Sequence, residues 1–180
     1  MKWPATFLAS VAFSAAAMCA GAAQAATANA AVAIAPVAIS APLQKALHDQ
    51  YGDAEGAVLQ SAVTERLEHA LKSAGASVSE SAAQRIEVTL DEAKPSHPTR
   101  FQIQKSPSLD PLRSRSLGGA RLHAVLRGAD GKVLGQVEYH DYAASFQLAS
   151  PSGDAWGDAR VTIDRFADLV VKSWRSHAGG

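Results

Sequence analysis

The chain has 180 residues, with 17 basic and 17 acidic side chains, six histidines and a single cysteine. This balance leaves no strongly basic face of the kind nucleic-acid binding needs, and a lone thiol excludes a disulfide framework and multi-cysteine metal sites. The length suits one domain that buries roughly 68–70% of its unfolded surface.

The chain opens MKWPATFLASVAFSAAAMCAGAAQAA. One lysine precedes a run of small and apolar residues, and Ala23-Gln24-Ala25 is an A-x-A cleavage signature. Residues 1–25 therefore read as a secretory signal peptide cut between Ala25 and Ala26. Its apolar part, Phe7 to Met18, falls short of the roughly 20 residues a membrane span requires. Cys19 is not read as a lipid-attachment site, because Met18 and Ala16 stand where a lipoprotein signal places a small residue and a leucine. Cleavage removes Lys2 and no acid, leaving 16 basic and 17 acidic residues. The expected location is the periplasm.

Residues 26–31 read as a loose tail. Val32, Ile34, Val37 and Ile39 then mark a strand over 32–40. Pro36 splits it or confines it to an edge, since proline cannot donate to the ladder. Residues 42–52 suit a short helical turn ending at Gly52. A long helix follows, with Asp53 as its expected N-cap and Gly75 as its stop. Between them Leu59, Val63, Leu67, Ala70, Leu71 and Ala74 recur at steps of three and four, opposite a charged side.

In residues 85–93, Ile86, Val88 and Leu90 alternate with polar neighbours, the pattern of a half-buried strand. Its length matches the preceding helix, so a parallel strand–helix–strand unit fits. Residues 94–117 hold four prolines and five serines. They read as a long irregular loop, with a brief edge strand at 100–104.

Two alternating runs then flank Asp130-Gly131, a pair suited to a tight hairpin turn. Pairing that places Leu122 opposite Tyr139 and Ala124 opposite Val137 puts the apolar residues on one face. The other face carries Arg121, His123, Arg127, Glu138 and His140, with His123 opposite Glu138. A three-residue loop with a glycine bulge is the second choice, because it would set Leu122 against Glu138. Residues 145–153 connect to a closing helix whose apolar side is Ala159, Ile163, Phe166, Ala167, Val170, Val171 and Trp174. Asp158 falls off that seam. Acids near its start and bases near its end suit the helix dipole. The fold expected is α+β: a mostly antiparallel sheet of four or five strands, with two amphipathic helices on one face. The domain runs over 32–177, and 178–180 form a tail.

Few residues point to chemistry. His123, Glu138 and His140 are a candidate metal set, since two imidazoles and a carboxylate suit zinc or copper. The plainer reading is a solvated sheet face, where Arg121 opposite His140 would repel a cation. Arg113, Arg115 and Arg121 are candidate ligand-binding residues beside the Gly118-Gly119 pair. They suit a phosphate, a lipid headgroup or a cell-wall carboxylate, unless Asp91, Glu92 and Asp110 neutralise them. Tyr139 and Trp174 read as core, Phe146 as part of an aromatic set, and Trp156 as an exposed contact residue. The serines lack a G-x-S-x-G context, and neither a dinucleotide fingerprint nor a P-loop occurs. No catalytic residue and no cofactor is assigned, and the chain is not read as an enzyme.

Several motifs recur together. They are L-x3-V-x3-L-x3-L-x3-G at 59–75, I-x-V-x-L at 86–90 and GGA-x-L-x-A at 118–124. D-G-K-V-L at 130–134 and D-x-F-A-x-L-V at 164–170 complete the set. This layout resembles families of small bacterial periplasmic proteins and lipoproteins of unknown function, some similar to accessory subunits of envelope lipid transport and curli secretion. The resemblance implies a compact α/β domain in the cell envelope. The expectation is a non-enzymatic accessory or binding protein that docks a protein partner or an anionic envelope ligand. The alternative is a periplasmic metal-binding protein using the His/Glu cluster.

Overall fold

The computed structural model describes residues 31–177. The expected signal peptide over 1–25, with Cys19, and residues 26–30 and 178–180 lie outside the described residues. The first apolar run breaks at Pro36 into β1 (Ala31–Ile34) and β2 (Ala38–Ile39). Both pair in parallel with β4 (Gln84–Lys94), Ile34 opposite Ile86 and Ala38 opposite Thr89. Between them Ser40 caps α1 (Ala41–Ala46), its hydroxyl accepting from the Leu43 amide. One wider turn, Leu47–Tyr51, carries the chain to Gly52.

The long helix α2 spans Ala54–Ser73 and buries Leu59, Val63, Leu67 and Leu71. Contrary to the expectation from sequence, the Asp53 side chain does not cap it. Its carboxylate instead lies 3.2 Å from His48 Nδ1, on the preceding turn. Gly75 does end the helix. At φ +88° it lets the Ala76 and Gly75 amides donate back to the Leu71 and Lys72 carbonyls. The chain then adds β3 (Ser77–Val78), parallel to β1.

The sheet order is β3-β1-β4-β5-β6, with β2 beside β4. It is thus a mixed six-stranded sheet, and the expectation of four or five mostly antiparallel strands is corrected. Only β4, β5 (Gly119–Arg127) and β6 (Val133–Tyr142) run antiparallel. β2 is the far half of the run split at Pro36, whereas the two-residue β3 is too short to show a period, which is why sequence pattern misses it.

The hairpin register agrees with the expectation over most of its length. Leu122 faces Tyr139, His123 faces Glu138 and Leu126 faces Gly135. The tip does not agree. The Gly128 amide donates to the Lys132 carbonyl, the Gly131 amide donates to the Gly128 carbonyl, and Gly131 has φ +78°. This is the three-residue glycine-bulge loop ranked second from sequence. A further irregularity, with Arg127 facing Val133 and Leu126 facing Gly135, absorbs the extra residue and restores the register. It frees Leu134 to pack against the core.

The last helix, α4 (Gly157–His177), buries every residue of the expected apolar side. It lies over β5 and β6 and against α2. Ile86, Val88, Leu90, Leu122, Ala124 and Leu126 meet both helices in one core. The opposite sheet face carries Arg85, Glu87, Thr89, Arg121, His123, Arg127, Glu138 and His140, all exposed or half-buried.

Candidate functional site

Lys94 pairs with Gly119, and Gly119 with Tyr142. The segment 95–118 and the segment 143–156 therefore leave the sheet at the same end, away from the hairpin tip. The five buried polar or charged side chains among the described residues lie here: Ser96, His97, Thr99, Asp158 and Thr162.

The first segment is not irregular throughout. Thr99 starts a helix, α3 (Arg100–Lys105), where a brief strand was expected. Thr99 and Gln102 form a reciprocal capping box: the Gln102 amide donates to Thr99 Oγ1, and the Thr99 amide donates to Gln102 Oε1. The T-x-x-Q signal outweighs the alternation of Phe101 and Ile103. Thr99 Oγ1 also donates to the Tyr51 carbonyl at 2.7 Å, which ties α3 to the turn before α2.

Asp158 holds the end together. Its carboxylate accepts from the Gly118 amide at 3.0 Å and the Ser150 amide at 2.5 Å. The residue is buried at the first turn of α4, where the helix dipole favours an anion. Close approach of backbones explains the glycine pair. A Cβ on Gly118 would lie 2.8 Å from the Lys94 carbonyl oxygen, and one on Gly119 would lie 2.2 Å from that of Asp141. The Ser96 amide also donates to the Ala155 carbonyl, and the Ser116 hydroxyl donates to the Pro95 carbonyl.

The predicted site residues separate. Trp156, expected to be exposed, is core: it is 1% exposed, donates Nε1–H to Glu55 at 2.7 Å and meets the Tyr51 ring edge-on. It precedes α4, so helical phase gave no hint of its direction. His123 Nδ1 lies 2.8 Å from Asp91 Oδ2, on β4 rather than β6. Among the described residues no group of three or more His, Cys, Asp or Glu side chains is arranged to hold a metal. His123, Glu138 and His140 share a face without forming a ligand set.

Arg113 and Arg115 are exposed on the loop, and Arg121 is exposed on the open sheet face. Among the described residues none of the three makes an ion pair. The expected acidic partners are committed elsewhere: Asp91 to His123, Glu92 to Lys94, and Asp110 to the Leu112 and Arg113 amides. The Arg115 guanidinium sits 5.5 Å from the centre of the Phe146 ring, which joins the two segments. Beside Arg121, the Tyr142 hydroxyl is buried. Burial, then the adjacent Glu92 carboxylate, pushes this phenol well above its ordinary range.

Sequence reasoning placed Phe146 in an aromatic set but missed the exposed leucines of this end. Leu112 is 71% exposed, Leu148 76% and Phe146 50%, with Leu117 also exposed. The available signal was composition: neither 111–118 nor 143–153 contains an acid.

Fold and surface together define a single-sheet α+β protein whose most exposed apolar side chains, Leu112, Phe146 and Leu148, stand at the same end as Arg113 and Arg115. No family model matches the chain, and no curated protein matches it. Among solved structures it is similar to XCC0632 from Xanthomonas campestris, of family model DUF330. The identity is 13%, covering 82% of this chain and 84% of that one, at a TM-score of 0.47. A single-residue variant of the PelC dodecamer from Paraburkholderia phytofirmans shares 11% identity over 78% and 85% of the two chains, at 0.45. A minor lipoprotein from Acinetobacter baumannii shares 10% over 83% and 94%, at 0.39.

Proposed function

We propose that this is an exported, non-enzymatic accessory or binding protein of the bacterial cell envelope. It docks a partner or an anionic envelope ligand through the end of the sheet that carries residues 106–121 and 143–153. The observation that carries this reading is the pairing of exposed Leu112, Phe146 and Leu148 with Arg113 and Arg115, free of ion pairs among the described residues. Large exposed apolar side chains gathered in one patch mark an interaction surface. Exposed arginines that have not been neutralised add a preference for anions. The leader at 1–25, with its A-x-A site, supports export.

Cell fractionation with sequencing of the mature N-terminus tests the location. A chain beginning at Ala26 in the periplasmic fraction is expected, and an uncleaved cytoplasmic chain overturns the reading. Crosslinking in the envelope tests the surface. Arg113→Ala with Arg115→Ala should weaken recovery of whatever is bound, and unchanged recovery would move docking elsewhere.

A further inference from the structure

The chemistry of the loop end identifies its ligand more closely, on the reading just given that the protein is exported. We infer that residues 111–117 and 146–148 form a peripheral docking surface for an anionic phospholipid bilayer. Leu112, Phe146 and Leu148 enter the headgroup boundary, and Arg113 and Arg115 engage lipid phosphates.

Charge selects this occupant. The segments 111–118 and 143–153 contain two arginines and no acid. Of the flanking acids, Asp110 stays exposed with its Oδ1 held by backbone amides, and the other three are paired or buried. Asp110 accepts two backbone amides, Asp141 pairs with Arg165, and Asp154 pairs with Arg160 at 2.5 Å. Asp158 is buried. At this end Arg113 and Arg115 outnumber the one exposed carboxylate, Asp110, beside large exposed apolar side chains, which is the composition of an interfacial anchor. A protein partner of the same charge would instead require a complementary acidic surface with pockets for the leucines.

Shape agrees. The exposed leucines stand on two separate loops rather than lining one groove, and Leu148 overhangs a shallow hollow shared with Val161 and Arg165. A fluid bilayer accepts separate projecting side chains at little steric cost. Anchorage also agrees. Asp158, Ser96 and Ser116 fix the base of both loops to the core, so little ordering is left to occur on contact. Arg115 stacked on Phe146 places a phosphate ligand beside an apolar wedge.

The test uses protein purified from cells expressing the full chain. It is sedimented with vesicles of phosphatidylcholine alone, or of phosphatidylcholine mixed equally with phosphatidylglycerol. Binding to the anionic vesicles only is expected, and it should weaken as salt screens the headgroups. Arg113→Ala with Arg115→Ala should lower the affinity about 25-fold, from about five-fold per arginine at a membrane surface. Leu112→Ser with Leu148→Ser should lower it at least about ten-fold, with unfolding curves unchanged because both side chains are exposed.

Equal binding to both vesicle types, or loss in neither variant, overturns the inference. So does an envelope protein crosslinked through Arg113 and Arg115 when no vesicle binds. That last result would leave the proposed envelope role standing, whereas failure of export removes both.

Discussion

Replacing Asp158 by alanine should destabilise the domain and loosen the loop end in one step. The carboxylate accepts two backbone amides, one fully buried, at 3.0 and 2.5 Å. A hydrogen bond to a charged group contributes about 1.5–3 kcal/mol, and an orphaned buried donor keeps its desolvation cost. The favourable charge at the start of α4 adds about 0.3–1 kcal/mol. Together these put Asp158→Ala at about 4 kcal/mol, a large part of the 5–15 kcal/mol typical of a domain. Asp158→Asn keeps one acceptor and turns an N–H toward the other amide, so about 2 kcal/mol is expected. Urea unfolding gives both values. Native-state amide exchange at Gly118 and Ser150 shows where the loss is felt. Faster exchange at these two amides, with the α2 amides accelerated only to the new global limit, is the expected pattern. A loss under about 1 kcal/mol in the alanine variant, or unchanged exchange at Gly118, would refute the role given to this carboxylate.

Gly119→Ala should cost about 3 kcal/mol or more, because the added carbon would meet the Asp141 carbonyl at 2.2 Å and overpacking against backbone has no cheap relief. A thermal midpoint within a few degrees of the parent would contradict the packing described. In base, the Tyr142 phenol should ionise later than an ordinary tyrosine, because burial and then Glu92 raise it. A raised phenol favours the folded state fully below about pH 10, the unfolded value, and the stability is lost as pH rises beyond it. Phenolate absorbance should therefore lose its latest portion in Tyr142→Phe. An unchanged titration curve would show that the group is not shielded.

How far the sequence could be read depended on whether the deciding contact was local. The apolar sides of α2 and α4 were legible because a helix repeats its facing direction every three or four residues, and Leu59 to Leu71 and Ala159 to Trp174 obey that repeat. The same holds for the β5–β6 register, where alternation and charge complementarity chose the pairs that form. Gly75 and the break at Pro36 were legible because backbone chemistry alone imposes them.

The candidate site was less legible. Arg113 and Arg115 were visible as unusual loop residues, but their lack of acidic partners arises only once Asp91 has turned to His123 and Glu92 to Lys94. Trp156 and Asp158 sit outside any apolar repeat. Their burial follows from the end of the sheet closing over the start of α4, with Glu55 and Gly118 arriving from distant parts of the chain. The hairpin tip was decided by two compensating irregularities that local turn preference does not count together. Periodicity and turn chemistry are properties of neighbouring residues, so the chain carries them openly. A buried acceptor, an unneutralised arginine and a leucine left in water each depend on what folds against them, and only the assembled sheet, loops and helices settle that.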